Sequence, residues 1–87
     1  MIRLKKFIFM YLLTEDMDRI KKNLGNHVRY WKDCKLSNYQ NGPFSDKSGG
    51  LIIFAADSRD KAEELIASDP LLRQGALKKY WLKEWVS

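Results

Sequence analysis

The chain has 87 residues, is 45% hydrophobic and 31% charged, and carries a formal net charge of +5. That length holds one domain, spanning residues 1–87, and the composition excludes a disordered or fibrous chain. One cysteine (Cys34) and one histidine (His27) exclude an internal disulfide and the common zinc sites, so neither a metal nor another cofactor is expected.

The first element runs from Leu4 to Leu13. Arg3, Lys5 and Lys6 ahead of the apolar run Phe7 to Leu13 superficially copy a signal peptide. The run is too short to span a bilayer and is followed by Thr14-Glu15-Asp16 rather than a small-residue cleavage site. It reads as a strand of a cytoplasmic protein with no membrane partner. Phe7, Phe9, Tyr11 and Leu13 point one way and Ile8, Met10 and Leu12 the other, so both faces are apolar.

Thr14 can cap a helix, and Glu15, Asp16 and Asp18 suit its positive end. Met17, Ile20, Leu24, His27 or Val28, Trp31 and Cys34 follow helical spacing, with Cys34 buried. Gly25-Asn26 predicts a break, with a second helical segment from Asn26 to Cys34. A weak strand is expected over Leu36 to Gln40, then a turn at Gly42-Pro43. Gly49-Gly50 reads as a second hinge, before a strand from Leu51 to Ala56. Ser58 caps a helix from Arg59 to Ser68, Asp69-Pro70 starts a short one, and Gly75 ends it in a left-handed cap. The last strand covers Leu77 to Val86. Tyr80, Leu82 and Val86 share one of its faces, and Leu77, Trp81 and Trp85 the other.

The order is β-α-β-β-α-β with an extra short helix, which predicts an α+β, ferredoxin-like fold with a four-stranded antiparallel sheet. Two helices cover one face of such a sheet. The other face still carries large apolar side chains, which predicts a homodimer packed sheet to sheet, a dimeric α+β barrel.

The stretch Asn41 to Phe54 (N-G-P-F-S-D-K-S-G-G-L-I-I-F), His27 upstream, and Ser58, Asp69-Pro70 and Gly75 downstream resemble the YCII-related family of small proteins. The resemblance covers nearly the whole chain. It implies a ferredoxin-like dimer with a His–Asp pair in a pocket. The family's helix histidine matches His27, and the aspartate after its G-P turn matches Asp46. The tight Asp33-Cys34-Lys35 connection departs from the glycine-containing turn of other members.

If the pair forms, Asp46 orients the imidazole of His27 and the two act as a general acid–base unit. Proton abstraction, elimination or isomerisation of a small cyclic or anionic molecule fits it, and some family members resemble dehydrohalogenases acting on chlorinated aromatics. Ser45 and Ser48, with Gly42 and Pro43, are the candidate substrate contacts. Arg29, Tyr30 and Tyr39 read as surface or packing residues. The alternative is a binding or accessory module that uses the same pocket without turnover. Nucleic acid is an unfavoured partner: basic residues are scattered, and the G-G-L-I-I-F strand lacks the alternating aromatics of an RNA-stacking surface.

Overall fold

The computed structural model describes residues 3–86. Seven elements follow in chain order. They are β1 (Lys5–Leu13), α1 (Met17–Asp33), β2 (Gln40–Pro43), β3 (Gly49–Ala56), α2 (Arg59–Ala67), α3 (Pro70–Arg73) and β4 (Leu77–Glu84). The strands form one antiparallel sheet in the order β2-β3-β1-β4, with β1 between β3 and β4. This is the ferredoxin-like topology expected from the element order.

The inward face of the sheet carries the core. Phe7 pairs with Phe54 and Phe9 with Ile52 across β1 and β3, and all four side chains are fully or almost fully buried. Trp31 of α1 lies over them, its ring 5.5 Å from that of Phe54 and 6.0 Å from that of Phe9. Ala62 and Ile66 of α2 and Leu71 of α3 complete the layer. The outward face carries Ile8, Met10 and Leu12 of β1, Leu51 and Ile53 of β3 and Trp81 of β4, all half-buried.

Several local expectations are corrected. Helix α1 is continuous, with Asp16 rather than Thr14 as its N-cap, accepting a bond from the Arg19 N–H at 3.1 Å. Gly25 does not break it, because a glycine costs only about 1 kcal/mol in a helix and docking of the inward stripe outweighs that. That stripe is Ile20, Asn23, His27 and Trp31, while Leu24 and Val28 are exposed. Cys34 is half-buried, beyond the helix's last residue.

Strand β2 lies later than expected, so Gly42-Pro43 is edge strand paired with Leu51 and Gly50 rather than turn. The chain reaches it through Lys35 (φ +49°) and Asn38 (φ +55°), which take the left-handed conformations a glycine would supply elsewhere. Gly49-Gly50 is not a hinge but the start of β3, opposite Leu12 and Tyr11. The last strand is corrected by a bulge. Leu12 pairs with Lys79 but Leu13 with Leu77, so Lys78 is the extra residue and Leu77 packs on the core side, away from Trp81.

Candidate functional site

The inward stripe of α1 carries two polar residues, and one is His27, which is 6% exposed. Its Nδ1 lies 2.8 and 2.9 Å from the two carboxylate oxygens of Asp69. Asp69 is the N-cap of α3 and has no solvent-exposed surface. Two further N–H groups donate to it, from Trp31 Nε1 at 3.0 Å and the Leu71 backbone at 2.9 Å. A buried carboxylate without partners costs several kcal/mol. Three donors converging from two helices offset that cost and fix its position.

A carboxylate offers only lone pairs, so Nδ1 of His27 carries the proton. In the neutral imidazole Nε2 is then an acceptor, and the Tyr11 hydroxyl donates to it at 3.3 Å. The result is a line of three side chains, Asp69, His27 and Tyr11. Burial first, then the Asp69 charge and Tyr39, push the Tyr11 phenol up to about 12, so it keeps its proton at neutral pH.

Tyr11 opens onto a cleft of about 720 Å³. The cleft lies where the end of β1 meets the first half of α1 and the β2–β3 hairpin. Met17, Ile20 and Leu24 of α1 supply apolar wall, with Leu12, Leu13 and Pro43 beside them. Thr14, Glu15, Lys47, Ser48 and Lys78 supply the polar part. Lys78 gains its place there as the bulged residue of β4. The Thr14 hydroxyl oxygen is buried without a hydrogen-bond partner among the described residues.

The expected His27–Asp46 pair is corrected: Asp69, not Asp46, orients the imidazole. Asp46 is exposed in the hairpin turn, and its carboxylate accepts bonds from the Ser48 backbone N–H at 2.9 Å and the Ser48 hydroxyl at 2.6 Å. Those bonds, the hydroxyl's first, hold it below the usual carboxylate range. Its role in the fold is to close the turn that presents Lys47 and Ser48. Of the other expected contacts, Ser48 and Pro43 line the cleft. Gly42 lines a separate groove along the β2 edge, with Pro43, and Ser45 is exposed in the turn and lines neither.

Sequence reasoning read Asp69 only as a helix cap and Tyr11 only as core. The sequence held a partial signal for a buried polar partner of His27 and none for Tyr11. An inward helix stripe that includes a histidine needs a buried polar partner, and a capping Asp just before a Pro is held in place to supply one. Among the described residues no group of three or more His, Cys, Asp or Glu side chains is placed to hold a metal ion, and no helix is long and apolar enough to cross a membrane.

Among proteins of known sequence, the chain is 43% identical over 44 residues to the uncharacterized protein YjpA of Bacillus subtilis (strain 168). That match spans about half of each protein, 51% of this chain and 51% of YjpA. Among solved structures, it resembles the 5-chloro-2-hydroxyhydroquinone dehydrochlorinase TftG of Burkholderia phenoliruptrix AC1100, in complex with 2,5-dihydroxybenzoquinone. The TM-score is 0.77 at 19% identity, covering 93% of each chain. A dimeric ferredoxin-like protein of unknown function from Thermobifida fusca matches with a TM-score of 0.57 at 11% identity, over 97% of this chain and 91% of that one. At these identities the structural likenesses establish the fold, and the fold is ferredoxin-like α+β. The YCII-related domain matches residues 6–86, from the second residue of β1 to beyond the end of β4, and the chain belongs to the YCII-related family.

Proposed function

We propose that the protein is an acid–base enzyme acting on a small molecule bound in the cleft beside Tyr11, with the Asp69–His27 pair as its proton-handling unit. The observation that carries this reading is the buried pair itself. Its Nδ1–H to carboxylate bond of 2.8 Å fixes one tautomer and leaves Nε2 as the acceptor for the hydroxyl of Tyr11, a residue of the cleft wall. When His27 takes a proton, the imidazolium forms against the Asp69 carboxylate rather than in isolation.

The cleft suits a small, mostly apolar ring with an ionisable oxygen. Its volume lies in the range of ligand pockets, roughly 300–1,000 Å³. Lys47 and Lys78 offer cations to a developing anion. Proton abstraction followed by elimination or isomerisation is the chemistry these groups serve. The named reaction of TftG, loss of chloride from a hydroxylated ring, is of this type and gives a first compound to test.

The test is to incubate the protein with 5-chloro-2-hydroxyhydroquinone and related hydroxylated rings, reading chloride release and exchange of ring protons with deuterated water. Turnover that is lost in His27→Gln and Asp69→Asn, while both variants stay folded, supports the enzyme. Turnover unchanged in both folded variants refutes it. A second reading, a binding module without turnover, is favoured by one observation: both ring nitrogens of His27 already have partners. Binding of such rings, seen as a rise in melting temperature with neither chloride release nor exchange, selects the module.

The working unit is proposed to be a homodimer. The outward sheet face carries Ile8, Met10, Leu51, Ile53 and Trp81, fringed by Lys79 and Lys83, while the buried residues of the described helices pack with the other face. The likeness to a dimeric ferredoxin-like protein supports a second copy as its cover.

A further inference from the structure

We infer that Tyr11, rather than the imidazole itself, is the catalytic group that meets the substrate, with His27 acting through it. This rests on the acid–base reading of the Asp69–His27 pair. Tyr11 forms part of the cleft wall and His27 does not. Nε2 of His27 is taken up by the Tyr11 hydroxyl at 3.3 Å, and the two rings meet edge to face with centroids 5.5 Å apart. Tyr11 therefore stands between the cleft and the imidazole.

The backbone opposite is shaped for this phenol. Tyr11 pairs with Gly50 across the sheet, and a Cβ on Gly50 would lie 2.5 Å from the Tyr11 hydroxyl oxygen and 2.8 Å from the ring carbon bearing it. Glycine at this position leaves room for the ring where it meets His27.

In the proton step, the substrate's acidic proton passes to the Tyr11 oxygen as that oxygen gives its own proton to Nε2. One O–H bond breaks at Tyr11 and another forms, so the phenol is unchanged at the end. The electron pair of the broken bond stays on the substrate. His27 becomes an imidazolium facing the Asp69 carboxylate, and in an elimination the electron pair expels the leaving group as its anion. The proton on Nε2 then returns through Tyr11 to product or solvent. The phenol's raised ionisation range, up to about 12, keeps it in the form that relays a proton instead of resting as phenolate.

The experiment uses protein labelled with 13C at the tyrosine Cζ and 15N in the histidine ring, titrated with 2,5-dihydroxybenzoquinone. In the wild-type protein the compound is expected to shift both the Tyr11 Cζ and the His27 ring signals. In Tyr11→Phe it is expected to leave the His27 signals in place. With 5-chloro-2-hydroxyhydroquinone, Tyr11→Phe is expected to release chloride at least about 100-fold more slowly than wild type, as does removal of a general acid–base group. A His27 shift in Tyr11→Phe as large as in wild type overturns the inference and leaves the acid–base reading standing, as does chloride release lost in His27→Gln but kept in Tyr11→Phe. A Tyr11 Cζ unmoved in wild-type protein also overturns it. Turnover kept in both variants removes the acid–base reading, and this inference with it.

Discussion

Gly50 faces Tyr11 across the β1–β3 pair, and the tyrosine ring occupies the space a side chain at Gly50 would fill. The Gly42 carbonyl oxygen lies 2.9 Å from the same hypothetical Cβ, so the new methyl is caught between an aromatic ring and the backbone of β2. Gly50→Ala is therefore expected to displace the phenol from His27 and to destabilise the fold by about 1–3 kcal/mol, the usual cost of overpacking. The measurement is a denaturant titration, paired with the His27 ring 15N signals. A variant of unchanged stability with unchanged His27 signals would contradict this packing.

Gly25 shows where the sequence was readable and where it was not. The stripe of α1 was legible from spacing, yet Gly25-Asn26 read as a break, because local propensity says nothing about the sheet on which the helix docks. A Cβ on Gly25 would meet no atom within 4 Å, and its φ is not in the left-handed region. Gly25→Ala is expected to raise stability by about 0.5–1 kcal/mol, by removing the glycine's excess freedom in the unfolded chain. A fall in melting temperature would mean that the helix needs the glycine.

The topology, and the grouping of Phe7, Phe9 and Tyr11 on one face of β1, followed from element order and alternation, which are local; which face turns inward is shown by the burial of Phe7, Phe9 and Phe54. The histidine was legible too, as the one titratable ring on a helix stripe. Its partner was not. Asp46 and Asp69 are both loop-proximal acids next to turn residues, and nothing in their spacing from His27 separates them. What separates them is three-dimensional: α3 packs against α1 and delivers Asp69 to the His27 side, while the Asp46 carboxylate is consumed by its own turn. The bulge at Lys78 was equally hidden, since strict alternation placed Leu77 beside Trp81.

Trp31 tests how far the buried carboxylate depends on its donors. Trp31→Phe keeps an aromatic ring near Phe9 and Phe54 but removes the 3.0 Å N–H bond to Asp69. Loss of a donor to a buried charge, together with the smaller ring, is expected to cost about 2–4 kcal/mol. Asp46→Asn, by contrast, alters an exposed turn and is expected to leave the His27 ring signals unchanged. Melting curves and histidine 15N spectra of the two variants check both. A stability loss under about 0.5 kcal/mol for Trp31→Phe would show that the bond contributes little.

Alkaline titration reads the buried phenols. Tyr11 rises from 10.0 to about 12, by burial first and then by the Asp69 charge, and Tyr30 rises to about 12, also by burial first. The folded protein holds protons that the unfolded chain releases over that interval, so its stability is intact below pH 10 and declines as pH climbs towards 12. Burial also raises Tyr39, so Tyr11→Phe removes one of three such groups and is expected to flatten the decline in part. Melting temperatures across that interval check it, and an equal decline in the variant would show that Tyr11 ionises as freely as an exposed tyrosine.

Leu51 and Met10 are paired across β3 and β1 on the outward face, with Trp81 opposite Met10 on the other side. Among the described residues the helices pack their buried side chains with Phe7, Phe9 and Phe54 on the opposite face, and Lys79 shields only part of this patch, its ammonium 4.9 Å from the Trp81 ring. A contiguous apolar face is a poor surface for a monomer, and a second copy turned face to face would bury it twice over. Leu51→Lys places a charge near its centre without touching the core, because Leu51 points away from Phe9 and Trp31. The variant is expected to elute at half the mass of the wild-type protein while keeping its far-ultraviolet circular dichroism. Wild-type protein that elutes as a monomer at high micromolar concentration would remove the dimer from the proposed function, leaving the Asp69–His27–Tyr11 line, which lies within one chain, as it stands.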